Sequence, residues 1–167
     1  MDGTNDPYQE MKALTRQSIR LIWEIAQQGG PLSEQDARLV QAMREHPEYA
    51  DLWNRLDELT DAQIEREGIN PILHVSIHQT IENQIANGEP KATGETVEAL
   101  MQRGMSRHEA IHRVGAALSD EIWHILREQR PFDEAGFVRK LREIARAESA
   151  RPRRAPGQKR RRRGGRW

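Results

Sequence analysis

The stretch NPILHVSIHQTIENQ, residues 70–84, decides how the chain is read. Asn70-Pro71 is a helix-start pair, because proline is preorganised for the first helical position, and Asn87-Gly88 supplies a stop. At about 100° per residue from Ile72, the side chains of Leu73, Ile77, Ile81 and Ile85 fall on one apolar arc of roughly 100° to 220°. His74 and His78 fall at roughly 200° and 240°, on or beside that arc, and Glu82 at about 280°, short of Val75 at about 300°. Polar groups spaced four apart thus point toward other protein. Burying imidazoles is costly unless they are hydrogen-bonded or bound to something.

The same punctuation recurs on both sides of this helix. Asp6-Pro7 opens a segment in which Met11, Leu14, Ile22 and Ile25 repeat at helical spacing until Gly29-Gly30-Pro31. Ser33 opens a second helix carrying Val40 and Met43, ended by His46-Pro47. Tyr49, Leu52, Trp53, Leu56 and Leu59 follow the i, i+3, i+4, i+7 pattern and predict a third. After Gly88, a short helix is expected over Thr96 to Arg103. A long one should run from Ser106 to about Gln129, broken at Arg130-Pro131, and Phe137, Leu141 and Ile144 form a last stripe behind Asp133. With no internal repeat and almost no strand signal, the pattern predicts an all-α compact bundle of six or seven helices.

A chain of 167 residues, 36% hydrophobic, can build one helical domain, expected over residues 1–150. The formal net charge of zero hides an asymmetry. The segment RPRRAPGQKRRRRGGRW, residues 151–167, holds nine Lys or Arg and no acid, leaving 17 basic against 26 acidic groups in residues 1–150. With two prolines, three glycines and no apolar periodicity, the segment is expected to be a disordered cationic arm. Arg153, Arg154, Lys159, Arg160, Arg161, Arg162, Arg163 and Arg166 are its candidate contacts to RNA, ribosome or another polyanion. The absence of cysteine excludes disulfides and thiolate metal sites. The start MDGTNDPYQE has neither a basic nor an apolar leader region, and no apolar run reaches the ~20 residues of a membrane helix. A cytoplasmic protein without membrane contact is expected.

The long helix after Ser106 carries a second pair of imidazoles. Ile111, Val114, Leu118, Ile122 and Ile125 make its core stripe, with His108 and His112 one turn apart at the border and Gly115 between them and Leu118 in angle. Two helices each offering an HxxxH pair beside an apolar seam can bring four nitrogens around one point, which is a metal-site geometry. His74, His78, His108 and His112 are the candidate ligands, with Glu82 as fifth ligand or hydrogen-bond acceptor. Imidazole-rich ligation without sulfur suits zinc or iron first, then nickel or manganese. His46 reads as a helix-terminus residue and His124 as a surface group.

His108-Glu109-Ala110-Ile111-His112 matches HExxH, which would make Glu109 a candidate general base. Ser106 and Glu109 also form the S-x-x-E capping box, which gives Glu109 a sufficient structural role. A zincin needs a strand-bearing cleft, and no strand is predicted.

The segments HPEY (46–49), NPILHVSIHQTIENQ (70–84) and RHEAIHRVGAALSDEIWHILR (107–127) together resemble a family of bacterial proteins known only as a numbered domain of unknown function, 1841. Its members share an HPEY segment, an NPxxHxxxHxxxExQ helix and an HEAxH helix ending near a tryptophan. The likeness covers roughly His46 to Arg127. It implies no established activity, and it marks His74, His78, Glu82, Gln84, His108, Glu109 and His112 as one motif set. Ile111 departs from the polar residue the family pattern implies there. The order HxxxE, at His78 and Glu82, then HxxxH, at His108 and His112, also resembles part of the hemerythrin di-iron pattern, without its upstream histidine or downstream aspartate. A metal-binding helical protein, structural or hydrolytic or redox in role, is the leading expectation; an accessory protein acting through the arm is the alternative.

Overall fold

The computed structural model describes residues 7–149, with side chains over 9–147. Among the described residues there are seven α-helices and no strand: α1 Pro7–Gln27, α2 Glu34–Arg44, α3 Asp61–Ile64, α4 Pro71–Asn87, α5 Lys91–Gln102, α6 Arg107–Glu128 and α7 Glu134–Ser149. Two 3-10 turns, Pro47–Tyr49 and Trp53–Arg55, lie between α2 and α3. The all-α expectation holds. The chain divides into two compact units, residues 1–79 and 80–167, with the division inside α4. The expected arm, 151–167, lies outside the described residues.

Unit 1 is built around a core in which Trp53, Leu56, Leu52, Met43, Ile64 and Val75 are all but inaccessible to water, with Ile19, Leu39 and Tyr49 buried beside them. Ser33 caps α2 by accepting from the Asp36 amide at 3.1 Å, as its sequence position predicts. The stripe from Tyr49 to Leu59 is not the α-helix its periodicity predicts. Its backbone closes through i→i−3 bonds, Tyr49 to His46, Leu52 to Tyr49, Arg55 to Leu52 and Glu58 to Arg55, each 2.9–3.0 Å. Over two turns, apolar residues three and four apart fit a 3-10 path as well as an α path. Asp51 and Asp57, weak helix formers, are drawn instead into ion pairs with Arg66 at 3.1 Å and Arg20 at 2.9 Å.

Unit 2 packs α5 against both α6 and α7, and α6 against α7. Its buried side chains include Val97, Leu100, Ile111, Val114, Leu118, Phe137 and Leu141. Gly88, at φ +69°, ends α4 in the left-handed region, as the Asn87-Gly88 pair predicts. Helix α5 starts at Lys91, five residues before the predicted Thr96. The Pro90 cap and the buried series Ala92, Thr93, Thr96, Val97, Leu100 extend it, and Gly94 interrupts neither, since a Cβ there would meet Ile85 at an ordinary 3.9 Å. The connection from α6 to α7 is held by Glu121, which accepts from Arg130 at 2.6 and 2.8 Å and from the Asp133 amide at 2.7 Å. The Arg130 hydrogen bonds, foremost, pull the Glu121 carboxyl down from 4.5 to about 2.

Candidate metal centre

The start of α4 is made as its sequence suggests: Asn70 Oδ1 accepts from the amides of Ile72 at 2.9 Å and Leu73 at 3.2 Å, and Pro71 occupies the first position. The buried face keeps Ile77 and Ile81 of the predicted arc but is rotated from it. Leu73, placed on the apolar arc, is 50% exposed, whereas Val75, placed away from it, is fully buried with Ile81 and His78. The helix is apolar on several sides, and the packing partner selects which side is covered. The effect is to move His78 from the edge of the arc into the interior, at 3% exposure.

His46 is the residue that sequence reasoning leaves out. Read as a helix-terminus group, it does stand ahead of Pro47 at the end of α2, but it is 2% exposed and lies against both histidines of α4. Its ring centroid is 4.5 Å from that of His74 and 4.6 Å from that of His78, with planes nearly perpendicular, and the His74 and His78 rings are 4.9 Å apart. The His46 Nδ1–H donates to the Ala42 carbonyl at 2.7 Å, and the Nε2 atoms of His46 and His74 are 2.8 Å apart. Tyr49 stacks on His46 at 5.9 Å. Burial first, then the carboxylates of Glu48 and Glu67, push the Tyr49 phenol above its ordinary 10. The signal that points to His46 is its place in HPEY, one of the segments carrying the family resemblance.

In unit 2, the His108 and His112 rings lie one turn apart with centroids at 4.3 Å and planes tilted by 50°, His108 half-buried and His112 exposed. Ile111, Val114 and Leu118 are buried as the stripe predicts, and Gly115 is buried with them. Glu109 performs the capping role: its carboxylate accepts from the Ser106 amide at 3.1 Å, while Ser106 Oγ accepts from the Glu109 amide at 3.2 Å. Glu82 forms a bidentate pair with Arg107, at 3.1 and 2.5 Å. Gln84 accepts from Thr93 Oγ1 at 2.8 Å, linking α4 to α5. His124 pairs with Glu128 at 2.8 Å on the surface, in keeping with its predicted place. A cleft of about 340 Å³ lies beside it, and its charged lining is consumed in pairs: Glu121 with Arg130, Glu128 with His124 and Arg130, Asp120 with Lys140.

Among the described residues, no helix is long and apolar enough to cross a membrane. No curated protein and no solved structure matches the chain. The family model described as Domain of unknown function (DUF1841) matches residues 11–143, from α1 to α7 and well beyond the 46–127 span of the motifs, and the chain belongs to that family.

Proposed function

We propose that the protein is a metal-binding helical protein that holds a divalent transition ion through imidazoles, zinc or iron foremost, then nickel or manganese. The observation that carries this reading is the hydrogen bond from His46 Nδ1–H to the Ala42 carbonyl. A carbonyl only accepts, so the neutral His46 ring keeps its lone pair on Nε2, on the side of the other two rings. Metal-ligating histidines are held in this way, the second ring nitrogen donating to a backbone carbonyl that fixes tautomer and orientation. His46 and His78 each offer a ring nitrogen within 4.8 Å of one another, and so, within unit 2, do His108 and His112. Absence of sulfur and predominance of imidazole favour the borderline cations named. Glu109 remains the candidate base should the protein be hydrolytic, and a cytoplasmic location belongs to the same proposal.

Elemental analysis of untagged full-length protein tests it. Close to one transition ion per chain is expected. His46→Ala and His78→Ala should each lose it, and His112→Ala tests separately whether the unit 2 pair binds an ion of its own. Metal should raise the melting temperature, since binding to the folded state alone stabilises it. Metal-free protein whose melting is unmoved by zinc, iron, nickel or manganese would leave the histidines as a hydrogen-bonded core network.

A second reading rests on the charge of residues 151–167, nine cations and no acid, which suits a non-catalytic nucleic-acid or ribosome-associated accessory protein. With about six cations engaged, binding to single-stranded RNA should fall with salt at a log–log slope near −4. A chain ending at Ala150 should lose the binding; salt-insensitive binding refutes this reading.

A further inference from the structure

The three imidazoles of unit 1 are not equivalent, and one separation shows why. In the neutral His46 ring Nδ1 carries the proton donated to Ala42, and Nε2 is then a lone pair. His74 Nε2 lies 2.8 Å from that atom. Two lone pairs do not face one another at this distance, so His74 Nε2 carries a proton and donates it to His46. Two imidazoles on one tetrahedral ion, each at about 2.05 Å, keep their nitrogens roughly 3.3 Å apart. The His46–His74 pair is therefore at hydrogen-bond separation, tighter than co-ligands on a tetrahedral ion such as zinc hold. The His78 ring is likewise nearly perpendicular to that of His46, and its ligand nitrogen and that of His46 lie within 4.8 Å of one another.

Resting on the metal-binding reading above, we propose that His74 is a competitor of a tetrahedral ion such as zinc and not a ligand to it: its Nε2–H occupies the His46 lone pair that the incoming cation needs. The ion and the His74 proton address the same orbital of His46, so the hydrogen bond must break before His46 can bind. His74 thereby sets how tightly the site holds metal, and it orients His46 when no metal is bound.

The test is zinc affinity, measured by chelator competition on the full chain. His74→Phe removes the competing donor and should tighten zinc binding roughly three- to tenfold, the worth of one net hydrogen bond. His74→Gln places an amide N–H near the position of Nε2 and should restore wild-type affinity, as well as covering the case in which the phenylalanine variant does not fold. Loss of more than about tenfold in either variant, as removal of a group supporting the metal from within the site would give, overturns the proposal. Nitrogen NMR of metal-free protein reads the hydrogen bond directly. An N–N coupling between His74 Nε2 and His46 Nε2 is expected, and it should vanish when zinc is added. Absence of that coupling with zinc binding intact defeats the competitor role alone. Wild-type protein that shows the coupling but takes up no zinc defeats the metal reading, and the competitor role with it.

Discussion

The histidines of the two units start from the same HxxxH spacing and end in different surroundings. In unit 1 the α4 pair meets a third ring, His46, delivered by the end of α2 and fixed there by a backbone carbonyl. In unit 2 the His108 and His112 rings of α6 lie 4.3 Å apart, with His112 exposed. Helical spacing aligns two imidazoles but does not set their tautomers; for His46 that is done by the Ala42 carbonyl one turn back. The carboxylates differ in their surroundings as well. Glu121 is held by three donors across a connection and is 11% exposed, while Glu82 makes an ion pair with Arg107 at the surface.

The comparison breaks most visibly in the cores. Trp53→Ala should cost about 3–5 kcal/mol, because a fully buried indole is lost and the space is only partly refilled. Hydrogen exchange on that variant should show amides of α2 and the 3-10 turns opening first; equal loss of protection in α5 to α7 would contradict the division into two units.

Glu121→Gln should cost about 1.5–3 kcal/mol at neutral pH, the worth of hydrogen bonds to a charged group. Its folded carboxyl, near 2, lies below the ordinary 4.5. The folded state thus binds fewer protons, and the stabilisation is complete above the ordinary value and is lost as pH falls through about 2. Urea unfolding of wild type and variant should converge over that window, and a gap constant to pH 2 would place the effect in packing.

Ser106→Ala should cost about 1 kcal/mol, the usual worth of an N-cap. If Glu109 serves chiefly in the capping box, Glu109→Gln keeps a hydrogen-bonding side chain and should change thermal stability little. The smallest effect is expected for Glu82→Gln: an exposed ion pair contributes about 0–1 kcal/mol. With its carboxylate held by Arg107, metal content should be unchanged, and loss of metal in this variant would return Glu82 to the ligand set.

Where local chemistry decides a feature, it was legible. Ser33, Asn70 and Ser106 cap helices with their own side chains, and Gly88 stops one by a backbone conformation other residues resist. Such features involve neighbours three or four residues away. The errors have another origin. Leu73 and Val75 exchange exposed and buried roles because α4 is apolar around much of its circumference. The Tyr49–Leu59 stripe forms 3-10 turns because apolar spacings of three and four fit that path as well as the α path; its Asp57 and Asp51 pair with Arg20 and Arg66.

The sequence by itself determined the all-α class, most helix ends, the family motifs and the two HxxxH pairs, since each depends on propensity and spacing along one segment. Only the tertiary structure decided that α4 buries His78 and Val75 while exposing Leu73, that Glu82 faces Arg107, and that His46 joins His74 and His78. Burial and hydrogen-bond partnership are properties of two surfaces in contact. The 27 residues between His46 and His74 carry no local signal of the 2.8 Å that separates their Nε2 atoms once unit 1 has packed.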